Sequence, residues 1–410
     1  MSSDTIQETE SLQRICMPLL AWYEENARDL EWRRNPLPYY VWVSEIMLQQ
    51  TRVETVKPYF ARFIRELPDI RHLALCSEDR LMKLWEGLGY YSRARNLQKA
   101  AQTVLDRYQG ELPADADALR SLPGIGSYTS GAIASIAFAL PQPAVDGNVL
   151  RVLTRITAST DCIDEPKVKT MFESRIRALL EGAGFHPGAF NQALMELGAM
   201  VCLPNGAPLC EDCPVKEMCL ARSRNLTSVI PVRKKKSGRR IEKKTILVIR
   251  DLNRALIRKR PERGLLAGLW ELPNYEGHLS RKQALEEAEK LGISAIRISP
   301  LPPARHVFTH IEWEMEGYLI LAEEMDQSAF APADGKGRAC RGEAAREQNP
   351  SACSAVGIGM IREAYPIPSA FSGYTLWLDP DRSWPCAKTD SLIDSALCRP
   401  APASAGKGAG

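Results

Sequence analysis

"LPGIGSYTSGAI", residues 122–133, decides how the first half of the chain folds. Gly124 and Gly126 form a G-x-G turn, and small residues that favour a helix follow it. The turn lies between two helical runs, which predicts a helix-hairpin-helix. The first N–H groups of a helix have no partner within it, so such a turn can bind phosphate. A nucleotide-binding Gly-Lys-Ser/Thr ending is absent and no strand precedes the turn, which leaves DNA phosphate as the natural ligand. An ordinary interhelical turn is the alternative.

On both sides of this motif, the spacing of hydrophobic residues predicts two domains of different structural class. Residues 11–222 form consecutive helical runs, which after residue 90 cover 92–108, 114–121, 127–139, 146–158, 167–181 and 188–200. Beyond the basic run 233–244, short strands surround the turn "DLN", with a helix near 280–291 and strands near 295–299 and 311–322. We predict a multidomain protein with an all-α domain over 1–225, a basic linker over 226–244 and an α+β domain over 245–378.

Composition limits the class of protein further. The net charge is only +3 over 410 residues, so DNA binding would depend on local surfaces. The polar N-terminus "MSSDTIQETE" has no features of a secretory signal, and the longest apolar run, 132–140, is far shorter than the roughly 20 residues of a membrane span. We therefore expect an intracellular protein without a membrane partner. Segment 327–355 is predicted to be a low-complexity insertion and 379–410 a disordered tail.

Four of the eleven cysteines lie close together, at Cys202, Cys210, Cys213 and Cys219, with the pattern C-x7-C-x2-C-x5-C. In an intracellular protein, cysteines at such spacing indicate metal binding rather than disulfides. Four soft thiolates suit a tetrahedral zinc ion or a cubane iron–sulfur cluster, and the spacing does not distinguish the two. A loop folded around such a group replaces apolar core, so its expected role is structural.

Two carboxylates are candidates for chemistry. Glu45 lies among apolar residues in the helical run "VWVSEIMLQQT", and Asp146 immediately precedes the helix of "AVDGNVLRVLTRI". Burial of a helix face would desolvate Glu45 and raise its pKa into the range of a general acid. Asp146 can cap its helix, and a carboxylate there can also stabilise a neighbouring cation. An exposed or paired glutamate and a simple helix cap are the structural alternatives.

Taken together, several blocks resemble the MutY-type adenine DNA glycosylases of the helix-hairpin-helix, iron–sulfur glycosylase superfamily. The blocks are "LEWRRNPLPYYVWVSEIMLQQTRVETV", "WEGLGYYSRARNL", "LPGIGSYTSGAI", "VDGNVLRVLTR" and "FNQALMELGAMVC". The resemblance covers roughly residues 11–325 and a short piece near 356–378. It implies a monofunctional enzyme of base excision repair that removes adenine mispaired with 8-oxoguanine or guanine in duplex DNA, by base flipping and hydrolysis of the N-glycosidic bond.

The resemblance also implies residue roles. Glu45 would protonate N7 of the flipped adenine, and Asp146 would stabilise the sugar cation. Tyr128 stands where bifunctional relatives similar to endonuclease III carry a lysine, and a phenol cannot form a Schiff base. Tyr90 would be inserted beside the 8-oxoguanine. Positions implied to line the base pocket, enter the helix or contact DNA are Arg33, Leu48, Gln50, Thr51, Gly124, Gly126, Asn148 and Gln192.

By the same resemblance, the four cysteines would hold one [4Fe–4S] cluster, although seven residues rather than six follow the first cysteine. The α+β domain resembles the family's Nudix-like module through "RPERGLLAGLWELP" and "HVFTHIEWEMEGY". It lacks the R-E-x-x-E-E segment of a Nudix hydrolase, which implies a non-catalytic reader of the oxidised base. Phe308, Thr309 and His310 occupy the place of the Phe-Ser-His recognition loop in relatives.

We therefore expect a monomer that acts on duplex DNA with 8-oxoguanine:adenine mispairs in the cytoplasm, associated with the nucleoid. Two alternatives remain open. One is a catalytically silent DNA-binding module, and the other is a bifunctional glycosylase-lyase similar to endonuclease III.

Overall fold

The computed structural model describes residues 12–234, 238–251, 255–261, 263–323 and 358–360. The chain divides into two compact units, Met1–Lys236 and Ser237–Gly410. The predicted insertion 327–355, the predicted tail 379–410 and most of the family-like piece near 356–378 lie outside the described residues. None of the helices in the described ranges is long and apolar enough to cross a membrane.

The described part of the first unit is built from helices, as the periodicity predicts. They are α1 (Cys16–Asn26), α2 (Glu31–Arg34), α3 (Pro38–Leu48), α4 (Val53–Glu66), α5 (Ile70–Leu75), α6 (Glu78–Trp85), α7 (Ser92–Arg107), α8 (Ala116–Arg120), α9 (Ser127–Phe138), α10 (Gly147–Thr157), α11 (Pro166–Glu181), α12 (Pro187–Met200) and α13 (Leu220–Ser223), with 3-10 turns at Cys210–Asp212 and Lys216–Met218. The six helical runs predicted after residue 90 agree with these bounds within two residues at each end.

Helix α12 is central to the packing that positions the candidate site. Its Phe190 and Leu194 are fully buried in one cluster with Leu19 of α1 and Val149 of α10. Close packing of this kind leaves little free space between helices. At Gly188 a Cβ atom would lie 2.5 Å from the Cα of Ile136, so α12 begins directly against the backbone of α9. The helix that follows the glycine turn is thereby held against α12.

In the residues that the structure describes, the second unit combines two sheets and one helix. Its strands are β1 (Arg240–Arg250), β2 (Leu256–Lys259), β3 (Trp270–Glu271), β4 (Asn274–Glu276), β5 (Ala295–Val307), β6 (Ile311–Ala322) and β7 (Ile358–Met360), and α14 spans Arg281–Lys290. The sheet orders are β4-β1-β6-β5 and β3-β2-β7, and β1 pairs with β6 in parallel. A capping box between Ser280 and Gln283 starts α14, close to the predicted start of a helix near residue 280. The described elements confirm the predicted α+β class.

The predicted linker over 226–244 is only partly a linker. Its first part packs on the helical unit, since the Arg155 Nε donates to the Ile230 carbonyl at 2.8 Å and the Ile163 N–H donates to the Val232 carbonyl at 3.0 Å. Its last part is strand, because β1 begins at Arg240 and pairs with β6 through its backbone. Charged side chains did not prevent this pairing because alternate positions of a strand can remain exposed.

Candidate active site

Glu45 is buried near the end of α3. Only 7% of the residue is exposed, and its neighbours Ser44 and Ile46 are also buried. The Tyr128 hydroxyl, from the second residue of α9, donates to Glu45 Oε2 at 2.7 Å. Burial raises the pKa of Glu45 to about 7, while the Tyr128 hydrogen bond lowers it, the negative charge of Asp146 raises it and the positive charge of Arg33 lowers it. The structure therefore brings four of the predicted residues into one electrostatic site.

Tyr128 itself is held in its neutral form. Burial, together with the negative charges of Glu45 and Asp146, raises the pKa of its phenol well above the usual range. Its hydroxyl also lies 3.7 Å from the sulfur of Met195 on α12. Tyr128 therefore serves the buried carboxyl group of Glu45 as a neutral hydrogen-bond donor.

Asp146 caps α10, as its position in the sequence predicts. Its Oδ1 accepts from the backbone N–H groups of Asn148 and Val149 at 2.9 and 2.7 Å, and its Oδ2 accepts from the Asn148 side-chain amide at 3.0 Å. Arg151 in turn donates to Asn148 Oδ1 at 3.0 Å. Both oxygens of the carboxylate are thus fixed in direction, and the predicted DNA-contact residue Asn148 serves as its support.

Sequence reasoning missed Glu196, which holds Arg33 in the site. Glu196 on α12 is fully buried, and Arg33 Nη2 lies 2.8 Å from its Oε1 while Arg28 Nε lies 2.9 Å from its Oε2. Although burial raises the pKa of Glu196, hydrogen bonds from Arg28 and Arg33 prevail and lower it to about 2. The available signal was a glutamate between apolar residues in "ALMELGAM", the same signal that identified Glu45.

The glycine turn adopts the geometry of a tight hairpin. Gly124 has φ +78°, and a Cβ atom there would lie 2.7 Å from the Cβ of Asn96. Only glycine occupies such a backbone without strain. Gly126 has an extended backbone, and a Cβ there would meet nothing within 4 Å. It precedes α9 without a side-chain cap, so its open surroundings leave room for a ligand at the helix start.

The other predicted DNA-contact residues of this unit lie at the end of α3, on α12 and in two loops. Leu48 ends α3, and Gln50 and Thr51 follow it, while Tyr90 lies in the loop before α7 with 49% of its surface exposed. Gln192 lies on α12, one turn before Glu196, and its amide donates to the Gly188 carbonyl at 3.3 Å. Arg93 of α7, which sequence reasoning also missed, donates to both loops.

The predicted metal ligands Cys202, Cys210, Cys213 and Cys219 line one cavity that is partly open to solvent. All four are free thiols. Arg155 Nη1 lies 3.3 Å from the Cys202 sulfur. Within the part of the chain that the structure describes, no group of three or more His, Cys, Asp or Glu residues is placed to hold a metal ion. The remaining wall is largely apolar and includes Val152, Ile156, Leu197, Val201, Pro208, Leu209 and Val215.

The predicted recognition loop lies between β5 and β6 of the second unit. The Phe308 N–H donates to the Ile311 carbonyl at 2.8 Å, which closes a tight connection around Thr309 and His310. Thr309 and His310 are exposed, and the Phe308 ring packs edge-on against Trp313 at 5.1 Å. The loop therefore presents a hydroxyl and an imidazole on a rigid aromatic base.

Comparison with known proteins first identifies the class of each unit. Residues 43–178 match the model of the HhH-GPD superfamily base excision DNA repair proteins, and residues 245–356 match a NUDIX domain. A solved structure of a thermostable thymine-DNA glycosylase aligns at 24% identity with a TM-score of 0.47, covering 54% of this chain and 99% of that one. By the two family models, the first unit carries an HhH-GPD domain and the second unit is Nudix-like, as the resemblance predicts.

Relatives that align over most of both chains identify the family to which this chain belongs. The adenine DNA glycosylase of Mus musculus is 36% identical over 373 residues, covering 77% of this chain and 72% of that protein. The adenine DNA glycosylase of Buchnera aphidicola subsp. Schizaphis graminum is 34% identical over 295 residues, covering 71% of this chain and 83% of that protein. The chain belongs to the adenine DNA glycosylase family, and the prediction of a DNA glycosylase is confirmed.

Proposed function

We propose that the chain excises adenine mispaired with 8-oxoguanine, or with guanine, and leaves an intact abasic site. The observation that carries this proposal is the hydrogen bond from the Tyr128 hydroxyl to Glu45 in a buried site where the pKa of Glu45 is about 7. A carboxylic acid near this pKa remains partly protonated at neutral pH and can act as a general acid. The names of the relatives support adenine as the base removed.

The chemistry proceeds in two parts. Once the adenine is flipped out of the duplex, Glu45 gives its proton to N7 and the electrons of the C1′–N9 bond move to the leaving base. Asp146, fixed by its three N–H donors, stabilises the positive charge that develops on the sugar. Water then adds to C1′, and the proton it releases restores the acid form of Glu45. No amine takes part at Tyr128, so no Schiff base forms and the strand is not cleaved.

Several residues of the first unit would bring the substrate to this chemistry. We propose that Arg33, oriented by Glu196, lines the pocket for the flipped base together with Leu48 and Gln192. The N-terminus of α9 behind Gly124 and Gly126 would bind a DNA phosphate. Gln50, Thr51 and Tyr90 would enter the duplex. In the second unit, the hydroxyl of Thr309 and the imidazole of His310 would contact the 8-oxoguanine, with Phe308 as support.

We propose that the four cysteines would hold one [4Fe–4S] cluster. Cys202, Cys210, Cys213 and Cys219 offer only soft ligands, the donors that such a cluster requires, and all four line the same cavity. The Arg155 guanidinium, 3.3 Å from the Cys202 sulfur, would donate a hydrogen bond to that ligand. Bound there, the cluster would supply the cross-link that folds residues 202–219 onto α10 and α12. Purified protein should show broad visible absorption that Cys213→Ser removes, whereas colourless protein with stoichiometric zinc would contradict this assignment.

A single-turnover assay tests the activity. End-labelled duplex carrying adenine opposite 8-oxoguanine is incubated with excess protein and quenched with and without hot alkali. Strand breaks only after alkali would support base removal without lyase action. Breaks without alkali would favour the glycosylase-lyase, and tight binding without breaks in either lane would favour the silent DNA-binding module.

A further inference from the structure

Arg93, the second residue of α7, joins the two loops of the first unit that carry the proposed duplex-entering residues. Its Nη1 donates to the carbonyls of Ile46, Met47 and Gln49 at 2.8, 3.0 and 2.7 Å. Its Nη2 donates to the carbonyls of Leu88 and Gly89, both at 3.0 Å, and to the Thr51 hydroxyl at 3.5 Å. Nη1 thus holds the end of α3 and the loop after it, while Nη2 holds the loop before α7 and also reaches the loop after α3.

The residues next to these carbonyls have unusual backbones. Gln50 has φ +58° and Tyr90 has φ +49°, a left-handed conformation that non-glycine residues seldom adopt. Both side chains are exposed, although the backbone that carries them is bound from inside the protein. Such conformations persist only where the surrounding structure holds them, and they occur preferentially at functional sites. Arg93 supplies that support at both loops.

The planar guanidinium makes the two attachments interdependent. Its two terminal nitrogens are separated by a fixed covalent distance, so moving one loop would require the other to follow. The ring of Trp85, 5.4 Å from the guanidinium carbon, and the ring of Tyr90, at 5.7 Å, further restrict its orientation. A lysine has one nitrogen on a flexible stem and cannot reproduce this fork.

We propose that Arg93 is a positioning residue that fixes the spacing of Gln50 and Tyr90, so that both enter the duplex together when adenine is flipped out. This inference rests on the proposed function. It assigns to Arg93 no contact with the reacting atoms. Its effect falls on the step between DNA binding and base release, and it acts through the two inserted side chains.

A double-mutant cycle tests this mechanism, because residues that act through one another have non-additive effects. Arg93→Lys should lower the single-turnover rate on adenine opposite 8-oxoguanine by about 10- to 100-fold while the dissociation constant for DNA changes less than about threefold. In the Gln50→Ala/Tyr90→Ala background, the same substitution should lower the rate by less than about threefold. Multiplicative losses in the two backgrounds would overturn the proposal.

The matched control is Arg62→Lys. Arg62 also donates to a backbone carbonyl, that of Leu84 at 2.9 Å, and packs over the Tyr59 ring, but it contacts neither loop. Its substitution should leave the excision rate within about threefold of the unsubstituted protein, and an equal loss for both lysine variants would overturn the proposal.

A second variant is used if Arg93→Lys melts below the assay temperature. Arg93→Gln, which keeps a planar donor for one loop, then replaces it in the cycle. Failure of the unsubstituted protein to release adenine would instead overturn the proposed function itself, and the present inference with it.

Discussion

Glu45 and Glu196 are two buried glutamates of the same helical unit with opposite ionisation. Glu45 is 7% exposed and Glu196 is fully buried, yet the pKa of Glu45 is raised to about 7 while that of Glu196 is lowered to about 2. The difference lies in their partners, since a neutral phenol donates to Glu45 whereas two guanidinium groups surround Glu196. Burial makes an isolated charge unfavourable, and neighbouring groups decide whether the charge persists.

The two regions have different tasks as a consequence. The surroundings of Glu45 favour its protonated form, in keeping with its proposed role as the acid, whereas Glu196 stays charged and binds Arg33. Arg33 connects the two regions, because its positive charge lowers the pKa of Glu45 while its guanidinium is bound by Glu196.

The largest expected effect comes from removing the acid. Glu45→Gln preserves the shape of the side chain but removes the proton that the leaving adenine needs, so the single-turnover rate should fall by about 10³-fold or more while DNA binding is retained. Glu54→Gln, at an exposed glutamate of α4 paired with Lys57, is the matched control. Near-normal base release by Glu45→Gln would show that another group supplies the proton.

Removing the anchor should affect stability as well as activity. Glu196→Gln leaves the partly exposed Arg33 and Arg28 without their common buried carboxylate, and breaking a buried ion pair typically costs about 3–5 kcal/mol. Circular dichroism should show a clearly lower melting temperature of the helical signal, and excision should slow because Arg33 is released. Glu66→Gln, at a surface glutamate paired with Arg80, provides the control and should melt close to the unsubstituted protein. Equal melting temperatures for both variants would contradict the anchoring role.

The pH dependence should separate the two glutamates. The proposed acid Glu45 would act in its protonated form, so the excision rate should be level below about pH 7 and then fall by about tenfold per pH unit as the acid is lost. Glu196 has a lowered pKa, so its stabilising effect is fully present above about pH 4.5 and is lost as the pH falls towards 2. Single-turnover rates between about pH 5.5 and 9 check the first statement, and acid unfolding checks the second. A rate that rises above pH 7 would exclude Glu45 as the acid.

The smallest effect should come from Tyr128→Phe. The phenol's hydrogen bond lowers the pKa of Glu45, so its loss should raise that pKa and move the fall in rate to higher pH by less than about one unit. At pH 6 the rate should remain within about tenfold of the unsubstituted protein. A shift to lower pH would show that the hydrogen bond favours the neutral carboxylic acid instead.

Local patterns in the sequence were sufficient for much of the fold. Helical periodicity predicted the helices from 92 to 200 within two residues, because each amphipathic run is defined by neighbours three and four positions apart. The cap formed by Asp146 and the tight turn at Gly124 were likewise predictable, since both are local backbone requirements. The end of the helical unit could not be predicted from local patterns. Its last residues are held by hydrogen bonds from Arg155 and Ile163, which lie far away in the sequence.

The sequence by itself determined which residues could do chemistry: a glutamate in an apolar helix, a capping aspartate, a tyrosine where an amine would be needed for a lyase, and four clustered cysteines. Only the tertiary structure decided whether these groups are charged and which residues they contact. Tyr128 meets Glu45 across 83 positions of the chain, and Arg33 meets Glu196 across 163. Ionisation depends on burial and on the nearest charges in space, and neither quantity is contained in any local stretch of the chain. For that reason two glutamates with the same sequence signal became an acid and an anchor.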